Sequence, residues 1–174
     1  MKRFLTTAVL ALSFITSAVA ATTARDPYAH FFNDTFGDFA EELQNAKEQG
    51  KKGIMVFFEM DECPFCHYMK KNVLNQPQVQ EWYRDNFLLF VVDIEGDVEM
   101  TDFAGKTTTQ KAFAEVNRVR ATPVIAFFDL EGKPIHRHTG RTAGVDEFMW
   151  MGEYVAEGVH QNMPFSRYKR EKKK

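Results

Sequence analysis

GIMVFFEMDECPFCHYMKKN, residues 53–72, changes its pattern partway along, and that change decides how the rest of the chain is read. Gly53 to Glu59 is a short apolar run rich in branched and aromatic side chains, the composition of a buried strand. Met60-Asp61-Glu62 then forms a loop into Cys63. Pro64 suits a first helical position, where its missing N–H costs nothing, and the helix it opens is expected to run to about Asn75. The chain has two cysteines, Cys63 and Cys66, and both stand at this strand-to-helix junction.

Working outward, apolar residues Phe36, Phe39, Ala40, Leu43 and Ala46 recur at three- and four-residue steps, which predicts an amphipathic helix over 36–49 ended by Gly50. Downstream, Pro77 opens a helical piece, PQVQEWYRDN, followed by a buried strand at Phe87–Ile94. A polar loop over 95–106 leads to a helix at Thr107–Val119 with Ala112, Phe113 and Val116 inward. Val124–Phe128 reads as a third strand, Asp129–Gly132 as a hairpin turn and Lys133–Thr139 as a half-exposed fourth strand. A last helix is expected from Gly144 to about Glu157, with Phe148, Met149, Tyr154 and Val155 available for packing. One βαβ crossover plus a terminal hairpin and helix predicts a three-layer α/β/α sandwich around a mixed four-stranded sheet, over residues 36–158.

The two ends read differently. Lys2 and Arg3 precede an apolar stretch from Phe4 to Val19, and Ala18-Val19-Ala20 supplies the small residues of a cleavage site. Residues 1–20 are therefore expected to be a signal peptide cut after Ala20, placing the mature protein in the periplasm. Residues 21–35 form a lead-in whose Tyr28, Phe31 and Phe32 are expected to dock onto the domain. Residues 159–174 end in RYKREKKK, and with six of the last eight residues basic the segment reads as a disordered, solvated tail. Contact with an anionic membrane or an acidic partner is the sharper alternative. Without Lys2 and Arg3 the 22 basic residues fall to 20 against 24 acidic ones, a balance that argues against nucleic-acid binding.

A disulfide between residues three apart closes too small a loop to be a good staple, so chemistry is the better reason for the pair. At a helix N-terminus the dipole and free backbone N–H groups favour a thiolate. Cys63, at the exposed end, is expected to be the nucleophile, and Cys66, one turn on, to resolve the mixed disulfide. Asp61 and Glu62 oppose that activation. A structural disulfide and a zinc site compete with this reading, although zinc lacks a second pair of ligands at metal spacing. Cys63-Pro64-Phe65-Cys66-His67 also matches the c-type haem attachment pattern, but here it follows a buried strand in an α/β sequence. His67 tunes the site or simply faces solvent.

Ala121-Thr122-Pro123-Val124 is the second anchor. A proline directly before a buried strand belongs at its start. In an α/β redox fold it is a place for a cis peptide, which sets the backbone of Thr122 to pair with an extended substrate segment.

FFEMDECPFCHYMKK and VRATPVIAFFDLEGKPIHRHTG, with the closing helix, resemble the thioredoxin superfamily over about residues 36–158. Within it the chain looks most like exported single-domain thioredoxins of SoxW type. The resemblance implies a dithiol reductase without cofactor or metal, its redox group being Cys63–Cys66. It would act as a monomer on exported disulfide-containing proteins and be recharged by a membrane-embedded thiol donor. Pro64, Phe65, Thr122 and Pro123 would line the substrate site. Two departures stand out. Glu62 replaces the usual Trp before the first cysteine, and Phe57 replaces the buried carboxylate six positions before it. Glu59, two residues on along the same strand face, is the candidate to take over as proton acceptor for Cys66. An oxidising or isomerising enzyme, or a thiol-binding assembly module, would use the same residues.

Overall fold

A computed structural model describes residues 23–174. The expected signal peptide, residues 1–20, lies outside them. Four strands form the central sheet in the order β2 (Phe87–Asp93), β1 (Gly53–Glu59), β5 (Val124–Phe128), β6 (Pro134–Thr139). β1 runs parallel to β2 and antiparallel to β5, and β6 is antiparallel to β5, so the sheet is mixed as expected. β1 is central and covered on both faces, which is why its sequence is continuously apolar instead of alternating.

Residue parity along the strands sorts the core into two. Odd-numbered Met55, Phe57, Phe87, Leu89, Ile125 and Phe127 pack toward α3 (Pro64–Asn72), α4 (Pro77–Asn86) and α6 (Val145–Ala156). Even-numbered Ile54, Val56, Phe58, Leu88, Phe90 and Val92 pack toward α2 (Phe39–Glu48) and α5 (Gln110–Val116). Each fully buried Phe contributes about 1.5–3 kcal/mol. On the odd face Tyr83 of α4 stacks on Phe148 of α6 at 4.3 Å between centroids. This approach needs Gly152, because a Cβ there would lie 2.4 Å from the Trp82 ring.

The lead-in docks as expected in part. A four-residue helix, α1 (Pro27–His30), is followed by Phe31 and Phe32, both buried, while Tyr28 stays about half exposed. Asn33 fastens the segment to β2, its N–H donating to the Leu89 carbonyl and its Oδ1 accepting from the Leu89 N–H.

Several expectations are corrected. α2 starts at Phe39, because Asp38 caps it by accepting from the Glu41 N–H, and Phe36 is fully exposed before it. The loop over 95–106 contains a strand, β3 (Glu99–Thr101), which pairs with β4 (Thr107–Thr109) in a small separate hairpin. Thr109 then caps α5, whose Val116 points outward. α3 ends at Asn72, short of Asn75.

The C-terminal segment departs most. A 3-10 turn at Val159–Gln161 and α7 (Phe165–Lys172) replace the expected disordered tail. Tyr168 is buried, and Phe165 lies 5.3 Å from the Tyr154 ring. Lys169 and Lys172 pair with Glu147 and Glu153 of α6, each at 2.7 Å. Carboxylates from α6 offset charges that in isolation look solvated.

Candidate active site

β1 delivers the chain through Met60–Glu62 to Cys63, which is the N-cap of α3. Its backbone is extended while Pro64 already occupies the first turn. Cys63 and Cys66 are joined in a disulfide with Cα atoms 5.2 Å apart, and the Cys66 N–H donates to Cys63 Sγ at 3.0 Å. One backbone N–H of the kind that favours a thiolate is thus aimed at the first sulfur. In this oxidised state Cys63 is only 2% exposed, which corrects the expectation of an exposed sulfur. The bond and the Cys66 N–H hold Sγ against the odd-face core, leaving Pro64 and Phe65 as the exposed part of the motif.

The Thr122–Pro123 peptide is cis. In the antiparallel register Val124, the first residue of β5, pairs with Phe58, so Thr122 and Pro123 lead into β5 beside the exit of β1, at the dithiol end of the sheet. The Pro123 carbonyl accepts from the Gly140 N–H at 2.8 Å, and Thr122 Oγ1 is buried without a partner.

Glu59 ends β1 on the same side as Phe57. Its carboxylate accepts from the Tyr28 hydroxyl at 2.5 Å and pairs with the Lys70 ammonium at 2.8 Å, and Lys70 also donates to the Tyr28 oxygen at 2.8 Å. Lys70 lies one turn after Cys66 on α3, and its Nζ sits 4.9 Å over the Tyr28 ring. Burial raises the Tyr28 pKa, and its bond to Glu59 raises it further. For Lys70 burial works against the charge, but the bonds to Glu59 and Tyr28 outweigh it and its pKa is raised. Sequence reasoning found Glu59 but missed both partners. The only signal for Lys70 is its four-residue spacing from Cys66. Tyr28 lies 31 residues from Glu59 and gave no signal as a hydrogen-bond partner.

Beyond the motif, Arg141 lies across α3, its guanidinium carbon 4.5 Å from the Tyr68 ring centroid and 5.9 Å from that of Phe65. His67 is exposed. Among the described residues no three His, Cys, Asp or Glu side chains are grouped to hold a metal ion, and no helix is long and apolar enough to cross a membrane.

The thioredoxin-like domain family matches residues 39–156. A thiol:disulfide interchange protein, DsbD, of Photorhabdus laumondii is 30% identical over 115 residues, 66% of this chain but 18% of that protein. The chain thus spans under a fifth of that relative. Among solved structures, a thioredoxin-fold protein from Helicobacter pylori superposes with a TM-score of 0.60 at 20% identity, over 71% of this chain and 86% of that one. The reduced C-terminal domain of Neisseria meningitidis DsbD gives 0.51 at 21% identity, over 67% and 91%. Those two likenesses concern the fold.

Proposed function

The chain belongs to the thioredoxin-like family of thiol–disulfide oxidoreductases, and from that premise we propose that it is a periplasmic reductase of disulfides in exported proteins. The observation that carries this is the Cys63–Cys66 disulfide at the N-terminus of α3, with the Cys66 N–H on Cys63 Sγ.

In the reduced state the Cys63 thiolate attacks one sulfur of a substrate disulfide. The substrate S–S bond breaks, a Cys63–substrate bond forms, and one substrate thiolate leaves. Cys66, giving up its proton, then attacks Cys63 Sγ, restores the Cys63–Cys66 disulfide and expels the second substrate thiolate. Two electrons pass from the dithiol to the substrate, whose two sulfurs end as thiols. Pro64, Phe65, Thr122 and Pro123 form the substrate site, with the Thr122 backbone adding to an extended segment of the partner.

Glu59 accepts the Cys66 proton within its group with Tyr28 and Lys70. Glu59→Gln should shift the pH dependence of turnover; an unchanged profile removes Glu59 from the mechanism.

The exported setting rests on residues 1–20, and sequencing of the mature N-terminus should start at Ala21. The partners are an exported disulfide protein and a membrane-embedded thiol donor. The enzyme works as a monomer of SoxW type with no cofactor beyond its own disulfide. The reduction potential of Cys63–Cys66 tests the direction: about −270 mV supports a reductase, whereas about −120 mV makes the protein an oxidant. A Cys66→Ala variant should trap the substrate as a mixed disulfide.

A further inference from the structure

We propose that Arg141 selects substrates carrying an acidic side chain close to the reacting cysteine, an inference that rests on the thiol-exchange reading above. The loop holding Arg141 is pinned on both sides. Before it, the Gly140 N–H donates to the carbonyl of the cis-proline, Pro123. After it, Thr142, 0% exposed, directs its N–H at Met69 Sδ of α3 at 3.4 Å, while its hydroxyl, 3.5 Å from the same sulfur, donates to the Gly144 carbonyl at 3.0 Å. The Ala143 N–H donates to Glu147 at 3.1 Å, and Lys169 of α7 holds the other oxygen of that carboxylate. A loop tied at once to the cis-proline, α3 and α6 fixes its one exposed cation relative to the dithiol.

Arg141 itself is exposed and makes no ion pair among the described residues. The Tyr68 and Phe65 rings flank its guanidinium. An aromatic contact of this kind orients a guanidinium through its flat face and leaves the in-plane N–H donors for a carboxylate, which they match two at a time. Phe65, half exposed, stands between the two cysteines in the chain, so this cation borders the surface a substrate must cover to reach Cys63. The exposed acids Asp61 and Glu62 lie before Cys63, whereas Tyr68 lies five residues after it, about 7.5 Å further along the axis of α3. The site therefore presents acid on the approach to Cys63 and a base beyond it.

The test uses the full-length mature protein, reduced with dithiothreitol, on disulfide-linked peptides that differ only in having Glu, Gln or Lys beside the reacting cysteine. Rates for Glu and Lys peptides are each divided by the Gln rate of the same variant. The Glu-to-Lys ratio of kcat/KM should fall about fivefold in Arg141→Ala and further in Arg141→Glu, the size of an exposed ion pair. The wild-type ratio should also approach that of Arg141→Ala as salt is raised. Equal ratios in all three proteins overturn the role of Arg141 while leaving the thiol-exchange reading intact. If the wild type exchanges with none of the peptides, that reading falls and the inference with it.

Discussion

The two faces of the central sheet are built on different terms. The even face, under α2 and α5, is closed by aliphatic and aromatic side chains alone, with Phe39, Phe90, Phe103 and Phe113 meeting at ring distances of 5.2–5.8 Å. The odd face has an apolar floor too, but the three buried polar or charged residues among the described residues, Gln80, Thr142 and Glu147, belong to its elements. It also holds the disulfide, the Glu59–Lys70–Tyr28 group and both terminal segments. Burying polar groups is tolerable only when each is hydrogen-bonded. A face that carries chemistry therefore needs more partners, and here the lead-in supplies the Arg25 carbonyl to Gln80 and α7 supplies Lys169 to Glu147. Stability and reactivity should be separable by face.

The sharpest way to break the comparison is Cys63→Ser. It should reduce thiol-exchange turnover to background while leaving the fold intact, as read by turnover and circular dichroism on one sample. Phe90→Ala on the even face should do the reverse. It should cost about 3–5 kcal/mol in urea unfolding, with the reduction potential of Cys63–Cys66 unchanged. A shifted potential would show that the faces are coupled.

Acid should act on the odd face. His136, on β6 among Phe127, Tyr154 and Phe165, has its pKa lowered to about 4 by burial, with His138 and His160 adding repulsion. The unfolded chain takes up that proton near its ordinary value of 6.5, before the folded one does. The stabilisation from keeping His136 neutral is thus complete above pH 6.5 and is lost as pH falls toward 4. The loss should reach about 3 kcal/mol. His136→Phe should flatten that part of the stability–pH curve, and an unchanged slope would assign it elsewhere.

The smallest effect expected is from Tyr28→Phe, which removes the hydrogen bond to Glu59 and the one from Lys70 at a site open to solvent. It should cost under about 1.5 kcal/mol of stability, yet it should move the pH profile of turnover in the same direction as Glu59→Gln. No movement would place Tyr28 outside the proton path.

The division between faces also explains what could be read in advance. β1, α4 and β5 match their sequence readings residue for residue, because unbroken apolar runs and Pro77 mark their limits. The dithiol at a helix N-cap and the cis-proline were legible because each is fixed by local chain chemistry. Contacts between distant segments were not. Tyr28 reaches Glu59 from the lead-in, and Arg141 reaches Tyr68 across a loop. α7 was hidden because its lysines are offset by Glu147 and Glu153, which sit about twenty residues earlier. The β3–β4 hairpin consists of two three-residue strands whose buried content is mainly Met100, too little to show a period.

The strict odd–even sorting of β1 has a consequence for how such a chain can diverge. Substitutions within the strand only exchange one packed side chain for another. A single inserted or deleted codon between Ile54 and Phe58 would carry the residues on one side of it to the opposite face. If the dithiol end moved, Glu59 would turn toward α5, away from Lys70 and Tyr28. Drift in length is therefore expected in Met60–Glu62, where the backbone is outside the ladder, and β1 should keep a fixed count among descendants that retain the chemistry.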